Sequence, residues 1–410
     1  MTPLPARTAA AVFLAFAFTY FFSALLRAIT ATLSPTLTQE FALHSRDLGL
    51  LAGGFFFGFA AMQLPLGSWL DRHGPKRVML GFLGIAVVAS VAFSMATSFG
   101  SLLAARVLCG VGVSACLMAP LTGFRRWLNP TTQLRANSWM LMAGSFGMLA
   151  STLPVQWLLP VLGWRPLFWG LAAMIALSML VVAAVVPSWH QAVQEPGVSR
   201  GSYAQVWSDP YFRRMAPIGF FTYGGMIAMQ TLWAGPWLVR VAGYGPLQAA
   251  GGLFTINIGM LAAFLVWGTL NPRLVRQGLS TNRLIACGLP FSLAMLATII
   301  VAGPLAGAGT WTLFCVSCTF VSLAQPAVGM AFPPALAGRA LSAYNLVIFS
   351  GVFVVQWGIG LLIDGFAAAG LDTVGSFRAA LSVFLACKVA AYAYFMLAKR
   401  DNRGTATALS

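Results

Sequence analysis

Gly67-Ser68-Trp69-Leu70-Asp71-Arg72-His73-Gly74-Pro75-Lys76-Arg77 is the densest charge cluster in a chain of which only 8% of residues are charged. Long apolar runs flank it on both sides, so it reads as a short turn at a membrane surface. Gly67 has no side chain to hold a neighbouring helix away, and Gly74-Pro75 turns the chain. The cations Arg72, Lys76 and Arg77 belong on the cytoplasmic face of such a membrane. Asp71, at a helix C-terminal end, opposes that helix's own dipole. It is expected to answer a partner, either a nearby Arg or the N-terminus of another helix.

Composition carries the same reading outward. Of the 410 residues 59% are hydrophobic, against about 45–50% in an average soluble chain, and the mean hydropathy is +0.83. This is a polytopic membrane protein. The net charge of +16 does not mark a nucleic-acid partner, because the 24 cations lie thinly between apolar segments and form no stripe. The six cysteines, Cys109, Cys116, Cys287, Cys315, Cys318 and Cys387, all fall inside apolar runs and imply no disulfide framework. Cys315 and Cys318 share a helix face with no His or acid nearby, which favours packing over a metal. The N-terminal apolar run is too long for a signal-peptide core and is expected to stay as the first span.

A hydrocarbon core about 30 Å thick takes roughly 20 apolar residues per helix. On that ruler twelve spans follow: 11–33, 47–70, 78–97, 101–123, 138–160, 165–187, 214–239, 247–270, 283–303, 309–333, 341–363 and 377–398. Residues 1–187 make an N-terminal six-helix bundle and 213–410 a C-terminal bundle with a short tail. Between them 188–212 is a cytoplasmic linker holding His190, Glu195 and Arg200, with a short interfacial helix near Tyr203–Trp207. With both termini inside, seventeen Lys and Arg fall on the cytoplasmic side and only Arg46, Arg165, Arg240 and Arg378 outside. The halves also look duplicated. Gly58 and Gly67 recur 201 residues later as Gly259 and Gly268, and Val155-Gln156-Trp157 recurs as Val355-Gln356-Trp357.

The opening turn resembles the loop between the second and third helices of the major facilitator superfamily, G-x-L-a-D-R-x-G-r-k. Gly67, Asp71, Arg72, Gly74, Lys76 and Arg77 match it, and Trp69 stands where Leu is usual. The resemblance implies that this turn is a conformational latch. Its second copy, Gly268-Thr269-Leu270-Asn271-Pro272-Arg273, has lost the Asp. Arg106, Gly110 and Gly112 are similar to the family's fourth-helix motif R-x-x-x-G-x-G. There the Arg is linked to proton coupling and the glycines to close helix packing. A structural Arg bonded to backbone carbonyls is the alternative for Arg106. The family fold is all-helical, two parallel six-helix repeats about an axis along the membrane normal, with the binding site between them at the midplane.

Nothing in the chain looks catalytic. His44, His73 and His190 fall in loops, no metal-ligand spacing occurs, and no Gly-rich phosphate loop with its Lys is present. No cofactor is expected, and no segment is long enough for a nucleotide-binding domain. Charges inside the spans are then the strongest signal, since each is costly unless paired or facing water. They are Arg27, Arg106 and Lys388, while no Asp or Glu falls near the midplane. Arg27 sits deep in the first span, and its guanidinium is a planar fork suited to carboxylate or phosphate. Its placement is similar to that of the first-helix Arg of organophosphate antiporters in the same superfamily. The likeness is partial, because their second Arg, in the seventh helix, has no counterpart beyond Arg240 at the outer end.

Uncharged candidates for the cavity are Tyr20, Gln156, Tyr223, Gln230, Trp233, Asn257, Asn345 and Gln356, together with Gln63 and Gln325. Any of these amides can instead tie two helices together. Lys388 belongs at a helix interface or faces a polar groove, and Asp364 lies at the outer end of the eleventh span. The expectation is a monomeric inner-membrane secondary transporter working by alternating access. It would carry a small organic or inorganic anion at Arg27 by symport or exchange, with protons or a second anion as the coupled species. An exporter of a drug-like or siderophore-like amphipathic compound is the alternative. The fifth-helix drug-antiporter motif G-x-x-x-G-P-x-x-G-G is not met by Ala143-Gly144-Ser145-Phe146-Gly147.

Overall fold

The computed structural model describes residues 4–188, 202–277 and 279–398. Most of the linker, with His190, Glu195 and Arg200, lies outside them, as does the tail from Lys399. Among the described residues every regular element is a helix: α1 Ala6–Phe41, α2 Ser45–Ala61, α3 Gln63–Ser94, α4 Phe99–Val113, α5 Ala115–Trp127, α6 Pro130–Ala150, α7 Leu153–Leu162, α8 Trp164–Val185 and α9 Tyr203–Ser208. There follow α10 Pro210–Ile218, α11 Gly225–Ala228, α12 Ala234–Arg240, α13 Pro246–Arg276, α14 Thr281–Ala302, α15 Ala308–Cys318, α16 Ala324–Ala331, α17 Pro334–Ala368 and α18 Thr373–Leu397.

The polar residues between apolar runs are mostly helix caps. The Ser98 hydroxyl accepts from the Ser101 N–H at the start of α4, Asn129 caps α6 with Pro130 behind it, and Asp209 accepts from Tyr211 and Phe212 at α10. Nine helices among the described residues are long and apolar enough to cross a membrane, ten if α6 and α7, bent by 42°, count as one. Two more helical runs are consistent with the expected twelve. One is α2 continuing into α3, and the other is the run from Pro210 to Arg240.

Three breaks have local causes. Pro65 cannot donate to the Ala61 carbonyl, and the second span divides there into α2 and α3, with Gln63 Nε2 donating to the Phe59 carbonyl at 3.2 Å. Within α3 the chain turns at Gly74, whose φ of 75° suits glycine, and Pro75 opens the next helical stretch. At the α6–α7 bend the Thr32 hydroxyl of α1 donates to the Ser151 carbonyl at 2.7 Å. The run from Pro210 to Arg240 carries two π-helical stretches, Gly219–Gly224 and Met229–Trp233. Such wide turns leave helices locally deformable.

By packing, the chain forms two compact units, Met1–Leu33 with Gly54–Val198, and Ser34–Gly53 with Ser199–Ser410. Glycine contacts set the crossings within each. In the first, a Cβ on Gly110 would collide with the Phe55 carbonyl, one on Gly58 with the Val107 carbonyl, and one on Gly112 with Ala86. In the second, Gly351 meets the Phe220 carbonyl, and Gly224 lies against the Ile348 carbonyl. The duplication is visible in these contacts. Gly58 faces Val107 and Val111 of α4, and its counterpart Gly259 faces Thr312 and Val316 of α15.

Candidate functional site

α1 has 36 residues, about 54 Å at 1.5 Å per residue, so Arg27 falls near its middle. Its side chain is half-buried, with Cζ 5.5 Å from the centroid of Phe59. The Arg27 Nε is buried and has no hydrogen-bond partner. One helical turn away on the same face, the buried Ser23 hydroxyl has the Cys116 thiol beside it and makes no hydrogen bond of good geometry. Among the described residues no carboxylate forms an ion pair with this guanidinium. Adjacent buried polar groups without a good hydrogen bond cost about 1–3 kcal/mol each, more for the charged one, until something supplies oxygens. Ser23 and Phe59 were not signalled by the sequence reading. The i, i+4 spacing from Ser23 to Arg27 is the pattern that could have found the first.

Arg106 behaves differently from Arg27. It is 1% exposed, and from α4 its Nη1 donates to the Leu26 carbonyl at 2.8 Å and its Nη2 to the Arg27 carbonyl at 3.4 Å. Its Cζ stands 4.7 Å from the Phe55 centroid. The guanidinium is thus a strut from α4 to the very turn of α1 that carries Arg27. Gly110, one turn on, lets α4 and α2 touch at backbone level and so sets the reach of the strut.

Tyr20 is buried with its ring flat on Gly144, while Gln156 and Tyr223 are half-buried. The other candidates form helix-to-helix ties within the second unit. Gln230 Nε2 donates to Asn257 Oδ1 at 2.9 Å, and Asn257 Nδ2 to the Leu253 carbonyl at 2.9 Å. Trp233 Nε1 donates to the Gln356 carbonyl at 3.1 Å, and Gln325 Nε2 to Asn345 Oδ1 at 2.6 Å. Gln356 Nε2 donates to Thr231 Oγ1 at 3.0 Å, since the Thr231 hydroxyl proton is committed to the Ile227 carbonyl at 2.6 Å. That leaves Gln356 Oε1 buried without a partner.

At the Gly67–Arg77 turn, Gly67 is half-buried, Asp71, Arg72 and Arg77 are exposed, and Lys76 is half-buried. The partner expected for Asp71 is not found among the described residues. Asp47, by contrast, pairs with His44 at 3.3 Å and Arg46 at 3.7 Å. Lys388 is wholly buried, donating to Ser292 Oγ at 3.2 Å and Cys318 Sγ at 3.5 Å between the rings of Phe314 and Phe384.

A half-buried guanidinium whose buried Nε has no partner, on a braced helix of an all-helical membrane bundle, is suited to holding a solute. Residues 16–356 match the family model of the Major Facilitator Superfamily, and the chain belongs to that family of transporters. It is 27% identical over 389 residues to the 3-(3-hydroxy-phenyl)propionate transporter of Escherichia coli (strain K12), covering 90% of this chain and 88% of that one. It is 27% identical over 305 residues to a probable sulfoacetate transporter of Cupriavidus necator, covering 68% and 69%. The crystal structure of a D-xylose-proton symporter superposes with a TM-score of 0.78 at 14% identity, covering 97% of this chain and 99% of that one. At that identity the likeness is one of fold.

Proposed function

We propose that the protein is a secondary transporter of a small organic anion, a carboxylate or sulfonate, with Arg27 as its principal contact. The observation that carries this reading is the Arg27 guanidinium, buried at Nε without a hydrogen-bond partner and with no ion pair to a carboxylate among the described residues. An anion supplies the missing oxygens and the missing charge together, through a two-pronged bond. The two relatives above support the class, since both are named for small organic acids. Phe59 and Ser23 extend the site, one as an apolar wall and the other as a hydroxyl partner. Arg106 holds the α1 turn in place. Transport proceeds by alternating access in the inner membrane, as a monomer, with both termini cytoplasmic and a proton or a counter-anion as the coupled species.

Uptake of labelled 3-(3-hydroxyphenyl)propionate and sulfoacetate into vesicles, with a thermal-shift screen of the purified protein, tests the reading. Arg27→Ala is expected to abolish uptake of whichever acid is carried. Arg27→Lys restores little, because an ammonium cannot make the planar two-pronged bond. Both variants should insert and fold normally. Normal uptake by Arg27→Ala, or stabilisation of the wild type by cationic compounds alone, would replace this reading with the exporter.

A further inference from the structure

α2 begins at Ser45, and its first turn is closed only in part from nearby: the His44 carbonyl accepts from the Leu48 N–H at 3.0 Å, and Asp47 Oδ2 accepts from the His44 N–H at 3.0 Å. The orphan N–H groups are met from more than 300 residues away. Asp364, in the last turns of α17, accepts from the Ser45 N–H through Oδ1 at 3.1 Å and from the Arg46 N–H through Oδ2 at 2.8 Å. Its negative charge lies on the positive end of the α2 dipole, so both hydrogen bonds are charge-assisted. Arg240 Nη1 reaches Ser45 Oγ at 3.5 Å beside it.

Beyond this cap the two antiparallel helices run against one another on glycine. Gly360 faces the Ser45 carbonyl, Gly49 the Gln356 carbonyl, and Gly53 the Phe353 ring at 3.0 Å. Gly54, the next residue, turns to Leu103 of α4 instead. Accordingly the segment Ser34–Gly53, part of the first half by sequence, packs with the second half. The turn that leads into it holds Ala42 at φ 50°, the left-handed conformation a non-glycine residue adopts only under constraint. A seam of glycines has no interlocking side chains and can part without repacking a core. The directional bond that holds it shut is the one at its end.

We infer that Asp364 is the latch of a gate between α2 and α17, capping α2 when this end of the transporter is closed and releasing it when the end opens. On the proposed topology this is the outer end. The inference takes alternating access from the reading above but does not depend on which substrate is carried. It goes beyond that reading in assigning a gating residue at a helix end remote from Arg27.

The test uses the full-length protein in lipid nanodiscs, with Ala52→Cys as reporter. Ala52 is 2% exposed and follows Gly49 by three residues in α2, immediately before Gly53. Maleimide labelling of this thiol should be slow in the parent and about tenfold faster with Asp364→Ala, with Asp364→Asn in between because it keeps one acceptor but no charge. Asp372→Ala, which removes the local cap of α18, should leave the rate unchanged. The native thiols Cys109, Cys116, Cys315 and Cys318 are buried and should stay unlabelled, which separates opening of a gate from general loosening. If Asp364→Ala does not insert, the isosteric Asp364→Asn carries the same comparison. A parental labelling rate in the Asp364 variants, or equal exposure of the native buried thiols, would overturn the latch and leave the Arg27 reading untouched.

Discussion

Arg106 Nη1 donates to the carbonyl oxygen of Leu26 at 2.8 Å, joining α4 to α1 one residue before Arg27. A second, longer bond at 3.4 Å from Nη2 reaches the carbonyl of Arg27 itself. The carbonyls belong to a helix that already satisfies them, so the two bonds add position more than stability. One arginine thus orients the backbone that presents the other.

Arg106→Met should therefore fold and insert, because no buried group is left without a partner and a buried charge is removed. Its effect should fall on the grip of Arg27. A tenfold rise in KM for the transported acid, about 1.4 kcal/mol, is expected with little change in kcat. Arg106→Lys should rescue poorly, since one ammonium cannot reach both carbonyls in a fixed fork. An unchanged KM in Arg106→Met would show that the strut does not position Arg27.

The glycines of the same motif make a stability prediction. A methyl on Gly110 would run into the Phe55 carbonyl, which is backbone and cannot swing aside. Gly110→Ala should cost about 1–3 kcal/mol, the usual range for overpacking, seen as a lower melting temperature in detergent. Gly81→Ala, with nothing within 4 Å of the added carbon, is the matched control and should be neutral or slightly stabilising. Equal melting of the two variants would mean that α2 and α4 separate at no cost.

These cases mark where the sequence is legible. Spans, caps and the Gly74-Pro75 turn depend on residues close together in the chain, and local periodicity or dihedral chemistry reveals them. Arg27 and Arg106 are legible as intramembrane charges because their cost is independent of context. What they touch is not, since Leu26 and Arg106 are 80 positions apart. The amides Gln230, Asn257 and Gln356 look alike in sequence whether they face a cavity or one another, and the structure sets them against neighbouring helices. Asp364 was readable only as a residue at a span end. His44, whose side chain is not among the usual N-caps, was the available clue that α2 takes an acceptor from elsewhere.

Asp71→Asn should lower transport while leaving the melting temperature unchanged. Asp71 is exposed and forms no ion pair among the described residues, so its carboxylate contributes nothing to this arrangement of the chain. A charge that is idle in one state and engaged in another acts by biasing populations, and 1.4 kcal/mol changes their ratio tenfold. Uptake at the parental rate by Asp71→Asn would make the Gly67–Arg77 turn a passive connection.

Lys388 provides the opposite case, a costly charge expected to have no part in transport. The ammonium is wholly buried among Ser292, Cys318, Phe314 and Phe384, with no carboxylate in contact. Two weak polar partners and two ring faces return about 2 kcal/mol at best, against several kcal/mol for taking an ammonium out of water. Lys388→Met keeps the length and volume of the side chain and removes the charge. It should raise the melting temperature, by an amount corresponding to about 1–4 kcal/mol, and leave uptake unchanged. Lys388→Ala should do the reverse, because it opens a cavity between α14, α15 and α18 that the rings cannot fill. Loss of uptake in Lys388→Met with unaltered melting would instead make the amine a working group of the transport cycle.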